Sequence, residues 1–320
     1  MSFSSEVKEE LSRDIPRARH CQIAEIAAML SFIGTVRETK TKKKIIEFQT
    51  ENVVVARKCF TILQKTFNIK ASVSVRRHVY LKKNRFYIVS VTDQVNVQRL
   101  LHAVKKDGTI GLMATKEMLV SRQIIMGECC KKAFIRAAFL CSGSVTNPEK
   151  SYHLEFVCPL EEWAEQIQEI LHIFKIEAKV ILRKSHFIVY VKESSQISEL
   201  LGLMEAYSGM MKLENVRIMK EMRNAVNRKV NCEAANIIKT ALASSKQIAD
   251  IRYIQEHIGL QELSDDLKEI ALARLSKPEA SLKELGASLN PPVGKSGVNH
   301  RLRKLKAIAD MDREKKGGVL

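Results

Sequence analysis

One chain of 320 residues contains the same unit twice, and this internal repeat limits the possible folds more than any other feature. Phe67, Ile69, Ala71, Val73 and Arg76 recur as Phe174, Ile176, Ala178, Val180 and Arg183, an offset of 107. Upstream, Ile46-Glu47-Phe48 is matched by Leu154-Glu155-Phe156 at 108, and Gly34 with Val36 by Gly143 with Val145 at 109. Three registered matches with two residues of drift define two copies, at about 18–106 and 128–207. Residues 1–211 are therefore expected to form one pseudo-symmetric domain.

Both copies give the same pattern of elements. An apolar helix (21–32 and 131–141) ends at Gly34 or Gly143, glycines suited to a C-terminal cap. A strand pair follows: 35–36 leads into 45–48, and 144–145 into 152–156. The next helix turns Val54, Cys59, Ile62 and Leu63 inward in one copy and Trp163, Ile167, Ile170 and Leu171 in the other. Alternating apolar residues then mark a hairpin: Ala71, Val73 and Val75 with Phe86, Ile88 and Val89, and later Val180, Leu182, Phe187, Val189 and Val191. A last helix (97–104 and 197–206) completes αββαββα, twice.

Composition narrows the function. The chain carries 53 Lys and Arg against 36 Asp and Glu, a net charge of +17, with 45% apolar residues, enough to build real cores. The charge is uneven: 22 basic and 11 acidic groups in residues 1–120, 10 and 11 in 121–211, and 21 and 14 in 212–320. Two basic regions flank a slightly acidic one, which makes nucleic acid a candidate for two separate surfaces. No apolar run reaches the roughly 20 residues that span a bilayer, and residues 1–10 have no signal-peptide pattern, so a cytoplasmic protein without membrane contact is expected.

Seven cysteines, two of them adjacent (Cys129, Cys130) and none in a CxxC pair, read as buried structural thiols rather than disulfides or zinc ligands. His78, His153, His172, His186 and His257 have no ligand spacing, and no Ser-His-Asp or Cys-His set is visible. Neither a metal nor a cofactor is expected.

The repeated unit resembles the LAGLIDADG homing-endonuclease fold, in which two copies pack through their first helices and two sheets form a saddle over DNA. That resemblance implies an acid just before each helix-ending glycine, the pair holding catalytic divalent metals. Here those positions are Ile33 and Ser142, and the nearest acids, Glu25, Glu38 and Glu128, lie away from the helix ends. An active homing-type nuclease is thereby disfavoured. Copy one still has basic turns, with Lys42, Lys43 and Lys44 in one and Arg76, Arg77, Lys82, Lys83 and Arg85 in the other; these are candidate secondary DNA contacts. Copy two is less basic in the equivalent places, so a symmetric DNA saddle is not expected.

Beyond residue 211 the strand pattern stops. Residues 212–232 read as a basic linker, with Arg223, Arg228 and Lys229 as further candidate contacts. Residues 233–312 read as a helical domain, with helices at 232–243, 245–257 and 264–275, a stop at Gly259, and a flexible tail over 313–320. Ser281 and Glu284 form a capping box that opens a short helix to Leu289. After a connection of about six residues, a second helix starts near Ser296 with the apolar stripe Val298, Leu302, Leu305 and Ala309. Its other faces carry Asn299, His300, Arg301, Arg303, Lys304 and Lys306. This is a helix-turn-helix pattern: arginine and asparagine can reach base edges, and Lys295 and Ser296 at the helix start suit a phosphate. Gly294-Lys295-Ser296 is not a P-loop, because Leu289 occupies the position of the required earlier glycine.

Taken together, the degenerate repeats, the stretch from Lys220 to Cys232 and the motifs from Ser281 to Lys304 resemble the WhiA family of bacterial proteins along essentially the whole chain. The resemblance implies an α+β fold of two nuclease-dead LAGLIDADG-like repeats followed by an all-α helix-turn-helix domain. It also implies a non-enzymatic, nucleoid-associated protein of cell division and chromosome segregation, with transcriptional control of sporulation genes in some relatives. The expected partner is double-stranded DNA, the expected state a monomer, with protein partners through the repeat domain. A protein-interaction scaffold is the remaining alternative.

Overall fold

The computed structural model describes residues 2–39, 42–77, 85–105 and 119–317. The chain divides into two compact units, Met1–Lys220 and Glu221–Leu320.

In the first unit, copy one is α2 (Arg19–Ile33), β1 (Gly34–Glu38), β2 (Lys44–Thr50), α3 (Val53–Phe67), β3 (Ser72–Arg77), β4 (Arg85–Val91) and α4 (Gln94–Ala103). Copy two repeats it as α5 (Glu128–Ser142), β5 (Gly143–Val145), β6 (Leu154–Cys158), α6 (Glu161–Ile173), β7 (Lys179–Arg183), β8 (His186–Val191) and α7 (Ser194–Leu203). The expected αββαββα pattern is present in both. Each sheet is antiparallel, in the order β1-β2-β4-β3 and β5-β6-β8-β7. Equivalent residues hold equivalent registers: Phe48 faces Val89 and Phe156 faces Val189. One sheet face packs on helices, burying Val36, Ile46, Phe48 and Val89 in copy one. Burial of a phenylalanine such as Phe48 or Phe156 contributes about 1.5–3 kcal/mol.

Helices α2 and α5 pack against each other along the pseudo-two-fold axis, which explains why residues 24–31 and 133–140 are buried without interruption. Gly34 and Gly143 do stand at the helix ends, but in extended backbone rather than the left-handed cap conformation. Their reason is space: a Cβ at Gly34 would overlap the Leu30 carbonyl and side chain, and one at Gly143 would overlap the Phe139 ring and Cα. In α3 Cys59, Ile62 and Leu63 are buried as expected, but Val55 is buried in place of Val54, which is only half-buried; Trp163, Ile167, Ile170 and Leu171 of α6 are all buried as expected.

A helix before the repeats, α1 (Phe3–Arg13), buries Phe3, Val7 and Leu11, four residues apart, and packs on α3 and α5. Near its end lies a charged group within the core. Arg136 of α5 bonds Asp14 at 2.6 Å, Glu205 at 2.5 Å and the Met204 carbonyl at 2.9 Å, and lies 3.5 Å from the fully buried Glu25. All seven cysteines are free thiols, but Cys129 and Cys232 are exposed, against the expectation of uniform burial.

The segment 212–232, expected as a linker, is helical within α8 (Tyr207–His257). The two helices expected near 232–243 and 245–257 belong to this same element, because no glycine or proline interrupts residues 210–257 and nearly half of them are the helix formers Ala, Lys, Glu, Met and Arg. Gly259 stops it, at φ +95°. The second unit continues with α9 (Asp265–Ser276), α10 (Leu282–Ala287) and α11 (Lys295–Gly317). The expected flexible tail is also corrected: 313–317 continue α11, because Arg313 pairs with Asp250 at 2.8 Å and covers the Tyr253 ring. Among the described residues, no helix is long and apolar enough to cross a membrane.

Candidate nucleic-acid interface

The second unit has its own small core. Val298, Leu302, Leu305 and Ala309 of α11 are all buried, against Leu267, Ile270 and Ala271 of α9, Leu285 and Leu289 around α10, and Ile251 and Ile254 of α8. This is the stripe expected from the sequence, and it fixes which face of α11 is left outside. With 3.6 residues per turn, Ser296, His300, Arg303 and Ala307 follow one another along the opposite face.

Helix α10 is held at its start by both halves of the capping box. The Ser281 amide donates to Glu284 Oε2 at 2.8 Å, and the Glu284 amide donates to Ser281 Oγ at 3.3 Å. The Ser281 amide, then its hydroxyl, hold the Glu284 carboxyl below its usual range. The connection of 288–294 is longer than a tight helix-turn-helix turn, yet it lies directly on α10: the Val293 amide donates to the Gly286 carbonyl at 2.9 Å. A Cβ at Gly286 would collide with the Val293 carbonyl, so this approach needs glycine. Helix α11 then begins at Lys295, one residue before the expected start.

Of the candidate residues here, Lys295, Ser296, His300, Arg303, Lys304 and Lys306 are exposed. Among the described residues, no carboxylate forms an ion pair with Lys295, Arg303, Lys304 or Lys306. Asn299 is half-buried. Arg301 differs: its side chain is 19% exposed and turned toward α9, 3.2 Å from Asp266 and 3.8 Å from Glu269. Its charge is spent within the protein, a pairing that residues 35 and 32 positions away do not announce in sequence.

The candidates of copy one are more dispersed. Lys42 and Lys43 are exposed and Lys44 is half-buried, in a turn held to α4 by Gln94, which accepts from the Lys44 amide and donates to its carbonyl. Arg76 and Arg85 are exposed, and Arg77 pairs with Arg85 in the β3–β4 register. Lys82 and Lys83 lie outside the described residues. Arg223, Arg228 and Lys229 are exposed on α8. In copy two Arg183, the counterpart of Arg76, is paired: Glu155 accepts from His153 at 3.1 Å and Arg183 at 3.3 Å. Burial raises the Glu155 carboxyl, but these two partners outweigh it and leave it lowered.

At the ends of the paired helices stand Ile33, buried, and Ser142, whose hydroxyl returns to the Ala138 carbonyl at 3.0 Å. Neither is a ligand for a hard divalent cation. Glu25 is fully buried on Lys58 and Arg136, and Glu38 and Glu128 are exposed.

Residues 19–105 match the WhiA N-terminal LAGLIDADG-like domain, residues 131–223 the WhiA LAGLIDADG-like domain, and residues 226–309 the WhiA C-terminal HTH domain. The chain is 51% identical to a probable cell division protein WhiA of Lachnoclostridium phytofermentans over 310 residues, 97% of this chain and 99% of that one. It is 43% identical to the protein of the same description from Alkaliphilus metalliredigens, covering 98% and 99%. The solved structure of full-length DUF199/WhiA from Thermatoga maritima aligns with a TM-score of 0.59 at 26% identity, over 97% of this chain and 99% of that one. With two LAGLIDADG-like domains followed by a helix-turn-helix, and relatives at this identity along almost its whole length, the chain belongs to the WhiA family.

Proposed function

We propose that this chain is a non-enzymatic protein that binds double-stranded DNA through α11, in the cytoplasm and on the nucleoid. The observation that carries the proposal is the two-sidedness of that helix: an apolar stripe sealed into the domain, with Ser296, His300, Arg303 and Lys304 on the side away from it and Lys306 on its flank, all left to solvent. Arg303 has the fork geometry for a guanine edge, and Lys304, Lys306 and Lys295 supply phosphate contacts. The exposed cations of the copy-one turn and of α8 offer secondary phosphate contacts. The non-enzymatic reading rests on Ile33 and Ser142, which replace the acids a homing-type nuclease needs.

Relatives named as cell division proteins support a role in cell division, exercised through DNA. Chromosome segregation and transcriptional control are two forms that role can take. Genome-wide occupancy separates them: broad coverage favours segregation, and promoter-centred peaks favour transcription.

The direct test is duplex-DNA affinity of the full chain across salt concentration. Arg303→Ala should weaken binding by about 1–3 kcal/mol at a preferred site. Lys304→Ala and Lys306→Ala should each reduce the slope of log K against log salt by about 0.9. Unchanged binding in all three variants overturns the assignment of α11.

A further inference from the structure

We infer that His20, Cys21, Cys129 and Cys130 form a Cys3His site for a structural Zn2+ that joins the first turns of α2 and α5. The ligand atoms of these four side chains all lie within 4.8 Å of one another. The Nδ1 atom of His20 is 3.2 Å from the Cys130 sulfur, 3.3 Å from that of Cys21 and 3.8 Å from that of Cys129. A zinc tetrahedron with ordinary bond lengths has edges of about 3.6–3.8 Å; the three edges that meet at His20 Nδ1 lie within about 0.4 Å of that range, and the three between sulfurs are no longer than 4.8 Å.

The repeat explains how such a set arises without local spacing. His20 corresponds to Cys129, and Cys21 to Cys130, at the same offset of 109 that relates Gly34 to Gly143. Each copy therefore contributes one two-residue half, and the pseudo-two-fold packing of α2 on α5 brings the halves together.

The surroundings suit a metal-bound thiolate cluster. Both helices begin without a side-chain cap, at Ala18 and Gly127, so their amide ends favour negative charge beside them. On binding, three thiols would release their protons to solvent and His20 would donate the Nδ1 lone pair. Three thiolates and Zn2+ leave one negative charge between the two helix starts. Soft sulfur ligands and a tetrahedral spacing select zinc over magnesium or calcium. An entry path exists, since His20 and Cys129 are exposed and border a cleft lined by Ile23, Gln123 and Met126.

The test uses the full chain purified under reducing, oxygen-free conditions. Elemental analysis should find zinc equimolar with protein. Co2+ alone, added to the metal-free chain, should give the intense visible bands of tetrahedral cobalt and a near-ultraviolet thiolate charge-transfer band. Cys129→Ser and His20→Ala alter exposed side chains that the fold does not pack, and each should lower cobalt affinity by more than the roughly 10–100-fold caused by losing an outer-shell partner. Cys232→Ser, on α8, should leave the spectrum unchanged. A pale octahedral cobalt spectrum, substoichiometric zinc, unaltered affinity in both variants, or a disulfide linking Cys21 to Cys129 or Cys130 in the oxygen-free protein would each overturn the site.

Discussion

The ammonium of Lys58 donates to the Glu25 carboxylate at 3.0 Å, and solvent reaches neither side chain. The same ammonium donates to the Leu11 carbonyl at 3.0 Å, so it also closes the end of α1. Burial raises the Glu25 carboxyl and lowers the Lys58 ammonium, in each case against the attraction of the other. Lys58→Met would leave Glu25 with only Arg136 nearby, and should cost about 3–5 kcal/mol of stability in denaturant unfolding. Combining it with Glu25→Leu should cost less than Lys58→Met alone, because no uncompensated carboxylate remains. Additive losses in the double variant would contradict this account.

Arg301 and Arg303 are two positions apart on α11 and should behave differently. Arg301→Ala removes a group already held by Asp266 and Glu269, so DNA affinity should fall far less than in Arg303→Ala. Its effect on stability should be small, about 0.2–1 kcal/mol, because the carboxylates it pairs with remain accessible to solvent. Equal losses of DNA affinity in the two variants would place Arg301 in the groove after all.

Gly286→Ala should destabilise the second unit by about 1–3 kcal/mol, since the colliding atom is the Val293 main-chain carbonyl and cannot rotate away. Hydrogen exchange at the amides of 284–289 would register the loss; native protection would refute it.

The capping box gives a signed pH dependence. Glu284 has a folded pKa below its ordinary 4.5, so its contribution is complete above that value and disappears as pH falls through the folded one. Protection of the first turn of α10 should therefore weaken on acidification, and Glu284→Gln should flatten that response. Ser281→Ala should cost about 0.5–2 kcal/mol at neutral pH. The same acid response in Glu284→Gln as in the parent would count against the box.

What could be seen in the sequence follows the range of the interactions. Alternation in β2 and β6, the Val298 to Ala309 stripe and the Ser281 cap depend on neighbours within a few residues and are found where expected, whereas Val73, Val75 and Leu182, expected to face inward, are exposed on the edge strands β3 and β7. The docking of α1 was legible in principle, since Phe3, Val7 and Leu11 recur every four residues after a capping Ser2. Pairings such as Lys58 with Glu25, Arg136 with Asp14 and Arg301 with Asp266 join residues 33 to 122 positions apart and leave no local periodicity. Charge misled over 212–232 because a basic run suggests a linker, whereas helix continuation depends on backbone propensity.

The charged group between α2 and α5 also breaks the symmetry of the repeat. The counterpart of Glu25 in copy two is Phe134, and the counterpart of Arg136 in copy one is Ala27, all four buried. Two chains pairing α2 against α2 would face carboxylate with carboxylate, and α5 against α5 would face guanidinium with guanidinium. Pairing unlike halves sets these opposite charges 3.5 Å apart, in addition to the Lys58 partner of Glu25 and the Asp14 and Glu205 partners of Arg136, so each copy meets opposite charge in its intramolecular mate and like charge in a second copy of itself.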